Sequence, residues 1–300
     1  MIFQKYKSNN SIKTKKKIIY LFIKKKIIRY FTFNFLLYIL GRFKTVRYFY
    51  KFINLRKNSS FEIEKNSNKY LDIDLNHDLI IKNLETNGFY DGLKLNEAAL
   101  KEIIKLSNQS DLITTIDKKK FKNFDEINNY NLNNKNPYCL VNVVNPELKN
   151  LMEKISRNSD LLGIAENYLG KVNKIDVKTQ WSPLCKAADS WRKINEQTVS
   201  FHYDVHHLNF LYIFFYITDC DKDSGAHELI NGSHNKKKFF KHLIGSAIKS
   251  QKSLEKYYDK KNFIIIEGKA GHGFVEDTSC FHRARSPIKN SRLALQFRYY

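Results

Sequence analysis

The 300-residue sequence predicts an α+β domain in which helices come first and a β-sandwich or small barrel follows. Three observations carry this. Apolar residues recur at helical spacing up to Gly170. Beyond Gly170 the chain breaks into short β-branched and aromatic runs separated by turn signals. With 42% apolar and 14% aromatic residues, the chain can bury a large core, and a wholly disordered protein is excluded.

The helices are justified in order. Leu95, Ala99, Ile103 and Leu106 share one helical face, with Asn96 and Glu97 as the start. Asn145-Pro146-Glu147 offers an N-cap followed by proline at the first helical position, and Leu148, Leu151 and Ile155 line the helix behind it. Ser159 and Gly170 bracket a further helix carrying Leu161, Leu162, Ala165, Tyr168 and Leu169. Between the first two lies the polar stretch Asp117–Asn136, which reads as a lid or a disordered insertion.

The strands follow at Lys174–Trp181, Thr198–Val205, Leu208–Thr218, Phe263–Glu267, Gly273–Asp277 and Arg292–Tyr299. Turns are expected at Asp223-Ser224-Gly225 and Asn231-Gly232-Ser233. A helix around Lys236–Tyr257 interrupts the series.

The net charge of +22 is unevenly distributed. Residues 1–57 hold 16 Lys and Arg and no acid, whereas residues 58–300 carry a net of only +6. We therefore divide the chain into a basic, aromatic-rich extension (1–57), a polar linker (58–78) and a domain (79–300). Ile27–Leu40 is interrupted by Arg29, Thr32 and Asn34 and falls short of a spanning helix. Basic clusters among Phe, Tyr, Ile and Leu suit peripheral contact with an anionic membrane. A loosely packed extension shaped by compositional bias is the plainer reading, and a nucleic-acid arm is the least favoured. Cys139, Cys185, Cys220 and Cys280 form no CxxC pair, which argues against a disulfide scaffold and fits a reducing cytoplasm. The expected location is cytoplasmic, with a peripheral position on the inner face of a membrane as the further expectation.

The most informative segment is Phe201-His202-Tyr203-Asp204-Val205. In a strand, His202 and Asp204 point to one face. With His282, in Phe281-His282-Arg283, they make two imidazoles and a carboxylate, the facial triad of non-haem Fe(II) oxygenases. Arg292 opens the last strand and shares a face with Ala294, Gln296 and Arg298, placing a guanidinium fork where it can clamp a buried carboxylate. Arg298 is its rival for that task. His206 and His207 read as neighbours of the centre, His272 as a structural turn residue, and Gln180 and Trp181 as lining for a pocket or packing for a core.

The order of HxD, Asp223-Ser224-Gly225, Gly232-Ser233-His234, Glu276-Asp277-Thr278, His282 and Arg292 resembles the phytanoyl-CoA dioxygenase (PhyH-like) family, from about Leu84 to Tyr300, with Asn87-Gly88-Phe89 similar to the family's start. The resemblance implies a double-stranded β-helix (jelly-roll, cupin-like) core with flanking N-terminal helices. It implies His202, Asp204 and His282 as Fe(II) ligands and Arg292 as the partner of the distal carboxylate of the co-substrate 2-oxoglutarate. The implied reaction is the hydroxylation, with dioxygen, of a small-molecule, lipid-linked or sugar-linked substrate, 2-oxoglutarate being decarboxylated to succinate. Asn231 and Ala284 stand where the family favours Pro and Gly, and little chain follows the Arg292 strand to close a barrel. The competing reading is a non-catalytic, membrane-associated module that keeps the fold.

Overall fold

The computed structural model describes residues 39–54, 61, 70–72, 75–205, 208–235, 237 and 248–300. The elements, in chain order, are α1 (Lys44–Asn54), α2 (His77–Thr86), β1 (Phe89–Lys94), α3 (Glu97–Asn108), β2 (Asp111–Thr114), β3 (Lys120–Phe121), α4 (Phe124–Asn133), β4 (Val141–Val144), α5 (Pro146–Ser156), α6 (Ser159–Leu169), β5 (Ile175–Ser182), α7 (Asp189–Ile194), β6 (Leu211–Tyr216), β7 (His227–Ile230), α8 (Gln251–Leu254), β8 (Phe263–Ile266), β9 (His272–Glu276), β10 (His282–Ala284) and β11 (Arg292–Tyr299).

Short-range chemistry sets the helix starts. Asn96 accepts a hydrogen bond from the Ala99 amide and Asn145 from those of Glu147 and Leu148. The cap of α6 is Asn158, one residue before the expected Ser159. The stretch Asp117–Asn136 is ordered and carries β3 and α4. Asn123 caps α4, and Phe124 stacks on Trp181 with ring centroids 3.9 Å apart. Sequence polarity concealed this because the segment is held by a few aromatic contacts while its asparagines serve as caps and side-chain donors.

Eight strands form one sheet in the order β1-β9-β6-β11-β5-β4-β2-β3, and three form a second, β10-β7-β8, with all their pairings antiparallel. Strand β11 lies in the interior of the large sheet, paired with β5 on one edge and β6 on the other. Its side chains alternate. Leu293, Leu295, Phe297 and Tyr299 are buried against the helical layer, while Arg292, Ala294, Gln296 and Arg298 line a cavity on the other face. Each buried apolar side chain contributes about 1.5–3 kcal/mol, and a one-residue slip would drive two arginines into the core, which pins the register.

The expected strand Thr198–Val205 does not form: Phe201 and His202 make isolated bridges, to Lys249 and His282, and residues 203–205 are irregular. Of the expected helix Lys236–Tyr257, residues 236 and 238–247 lie outside the described residues, as do His206 and His207; the described part holds an isolated bridge at Lys249, the four-residue α8 and a turn at 255–257. Tyr70 and Leu71, within the polar stretch 58–78, are buried in the main core. From the basic segment, α1 docks on the domain through Arg47, which donates to Asp277 and to the Ser279 hydroxyl, both at 2.7 Å. Among the described residues, no helix is long and apolar enough to cross a membrane.

Candidate metal centre

His202 and His282 are brought together by backbone pairing. Each donates its amide to the other's carbonyl, at 2.9 and 2.7 Å, making the reciprocal pair of an antiparallel bridge and leaving both imidazoles on one side. The ring centroids are 4.3 Å apart. Asp204 is fixed by its own amide, which donates to the Thr278 carbonyl at 2.8 Å. Its carboxylate oxygens then lie 3.8 Å from His202 Nε2 and 3.9 Å from His282 Nε2. One ligand atom from each of the three residues falls within 4.8 Å of the others.

The donor set fits a divalent first-row ion. His202 Nδ1 lies 3.1 Å from the Ser200 carbonyl and His282 Nδ1 3.0 Å from the Cys280 carbonyl. A carbonyl only accepts, so each Nδ1 carries the proton and each Nε2 presents its lone pair to the centre. Burial pushes the His282 pKa down to about 4, keeping that ring neutral as ligation requires.

Two residues behind the centre lay outside the site expected from sequence. His227, from β7, stacks on His282 with centroids 5.2 Å apart, and its Nε2 lies 2.7 Å from Oε2 of the fully buried Glu276. The other Glu276 oxygen lies 3.5 Å from His282 Nδ1. Burial raises the Glu276 carboxyl to about 7 and lowers His227 to about 3, so it works against the charge on both. The signal for His227 was present: His227 and Glu228 are polar residues between Ala226 and Leu229-Ile230, in a strand that follows the Gly225 turn.

The three residues open on a cavity of about 220 Å³ between the two sheets, which Phe214, Phe274 and Arg292 also line. Arg292 donates to the Gly225 carbonyl and, at 3.3 Å, to the Ser182 hydroxyl, while its buried Nε has no hydrogen-bond partner among the described residues. Gly225 sits at φ +88°, in the expected Asp223-Ser224-Gly225 turn, a conformation that costs a side chain dearly. Gly88, at φ +83°, accepts the Asp277 amide, and a Cβ there would strike Cys280 Sγ, so β1 can close on the loop that leads to His282. The Asn231 amide donates to Asn262 at 2.8 Å, a bond that proline could not make. His272 opens β9 and pairs with Asp91 at 2.6 Å, away from the centre.

No protein-family model matches the chain, and no curated protein matches it in sequence. Solved structures do match. The crystal structure of EvdO2 from Micromonospora carbonacea var. aurantiaca aligns with a TM-score of 0.51 at 12% identity, over 76% of this chain and 91% of that one. The chain shares its fold with EvdO2. The same protein complexed with 2-oxoglutarate aligns at 0.49 and 12% identity, over 77% and 92% of the two chains. The epimerase SnoN, in complex with Fe3+, alpha ketoglutarate and nogalamycin RO, aligns at 0.47 and 12% identity, over 74% and 82%. At such identities the likeness is one of fold.

Proposed function

We propose that the chain is an Fe(II)- and 2-oxoglutarate-dependent oxygenase, similar to the phytanoyl-CoA dioxygenase family, with its centre in a double-stranded β-helix. The observation that carries this is the backbone pairing of His202 with His282, which gathers two imidazoles and the Asp204 carboxylate at a cavity whose wall also holds Arg292. When bound, iron and 2-oxoglutarate supply the dioxygen-dependent oxidation of a substrate C–H bond, with succinate and carbon dioxide as co-products.

The chain's own part is positional. His202, Asp204 and His282 would hold the metal, each through one ligand atom. The Ser200 and Cys280 carbonyls keep the two rings in the ligating tautomer. Arg292 offers its fork to the distal carboxylate of the co-substrate. Phe214 and Phe274 supply an apolar wall that excludes water.

The reading predicts that the purified protein, given Fe(II), ascorbate and 2-oxoglutarate in air, forms succinate. His202→Ala should abolish this and lower iron binding at least tenfold, while circular dichroism stays unchanged. Succinate formation that survives in H202A overturns the ligand assignment. Outside the centre, α1 turns Tyr48, Phe49, Phe52 and Ile53 outward beside the exposed Lys44, a surface suited to the proposed contact with an anionic membrane. Phosphatidylserine vesicles should sediment the protein and phosphatidylcholine vesicles should not.

A further inference from the structure

The four cysteines hold no CxxC pair, yet the fold brings two of them together. Strands β4 and β5 run antiparallel, so the entry to β4 lies beside the exit of β5. Cys139 stands two residues before β4 and Cys185 three residues after β5. Their Sγ atoms are 3.6 Å apart although 46 positions separate them in the sequence. That is van der Waals contact, and about 1.5 Å of further approach makes a disulfide. Cys220 and Cys280 are engaged elsewhere. Cys220 Sγ lies 4.0 Å from the carbonyls of Asp221 and Ser224, and Cys280 Sγ 3.5 Å from His234 Nδ1.

The surroundings distinguish the two thiols. Arg192, on α7, is 2% exposed and donates to three neutral oxygens: the Cys185 carbonyl at 2.6 Å, the Gln197 side chain at 2.8 Å and the Ala187 carbonyl at 3.2 Å. A buried guanidinium in such company favours an anion beside it. The contact with Cys139, opposed by burial and assisted by Arg192, holds the Cys185 thiol below its ordinary range; the same contact, together with burial, raises Cys139. Cys185 is also the more open, 9% exposed against 0%, in irregular chain between the exposed Leu184 and Lys186. The pair adjoins the cavity as well. Leu140, next to Cys139, lines it, as do Ser182 and Gln197, and the Ser182 hydroxyl accepts from Arg292.

We propose that Cys139 and Cys185 are a redox modification site, a dithiol that peroxide converts to a disulfide joining the entry of β4 to the chain beyond β5. Cys185 attacks first. Its thiolate sulfur bonds to one peroxide oxygen, the O–O bond breaks, and hydroxide leaves as water with the proton that Cys185 gave up. The Cys139 sulfur then attacks the Cys185 sulfur. The S–S bond forms, the S–O bond breaks, and a second water leaves with the Cys139 proton. The two thiols lose two electrons and hydrogen peroxide gains them. The bridge ties together two stretches of the cavity wall, and a thiol reductant reverses it. Iron takes no part, so the site stands apart from the proposed function.

The full chain, reduced and freed of metal with diethylenetriaminepentaacetate, is treated with a few equivalents of hydrogen peroxide and read by mass spectrometry. The intact mass should fall by two hydrogens, and peptide mapping should join Cys139 to Cys185 while Cys220 and Cys280 stay reduced. Dithiothreitol should restore the original mass. In Cys139→Ser, a sulfenic acid should persist at Cys185 and be captured by dimedone. In Cys185→Ser, oxidation of Cys139 should be about tenfold slower than in the wild type, or slower still. Absence of the bridge in the peroxide-treated wild type overturns the proposal, and so does a bridge that engages Cys220 or Cys280 instead. Dimedone capture at Cys139 in C185S as fast as at Cys185 in C139S overturns the order of attack.

Discussion

Arg47→Ala tests how the basic N-terminal segment supports the centre. Arg47 and Asp277 form a 2.7 Å ion pair whose side chains are 12% and 1% exposed. Asp277 also accepts from the Tyr168 hydroxyl at 2.7 Å and from the Ser279 amide at 2.9 Å. Burial alone would raise the Asp277 carboxyl, but Arg47, with help from His234 and Ser279, holds it well below the usual carboxylate range. Removing one partner of such a pair strands a buried charge, at a cost of about 3–5 kcal/mol. For a chain of this size that lowers the unfolding midpoint by about 6–15 °C.

The sign with pH follows from the depressed pKa. The stabilisation is complete above the unfolded carboxylate value of about 4 and is lost as pH falls below it. The difference between wild type and R47A should therefore be largest near neutrality and narrow below about pH 4. Thermal unfolding in EDTA, followed by circular dichroism from pH 7 to pH 3, measures this without a contribution from bound metal. A loss under about 1 kcal/mol at pH 7, or a gap that stays constant down to pH 3, would refute the reasoning.

Two further outcomes test other parts of the structure. Arg292→Gln should weaken 2-oxoglutarate binding by about 10- to 100-fold, equivalent to about 1.4–2.7 kcal/mol, and leave Mn(II) affinity unchanged, as read by calorimetry. Phe124→Ala removes the ring stacked on Trp181 and should cost about 2–4 kcal/mol in chemical denaturation. A neutral result there would show that the stack does not anchor the segment.

What the sequence determined by itself was local. The caps at Asn96 and Asn145 work over two or three residues, and the alternation of β11 is a property of any extended chain, so both were legible. The residue types at His202, Asp204, His282 and Arg292 were legible as chemistry, and their order as a resemblance. Tertiary structure decided the rest. His202 and Asp204 converge without the strand that was expected to align them, because the reciprocal bridge from His202 to His282 and the Asp204 bond to Thr278 replace it. The place of His227 and Glu276 behind the centre depends on β7 and β9 lying in different sheets. That Arg292 and Arg298 line one cavity emerges only once β11 is placed between β5 and β6. Periodicity and capping are written within a few residues. Which distant surfaces bury one another depends on the free energy of the whole packed chain, and that is where the site was assembled.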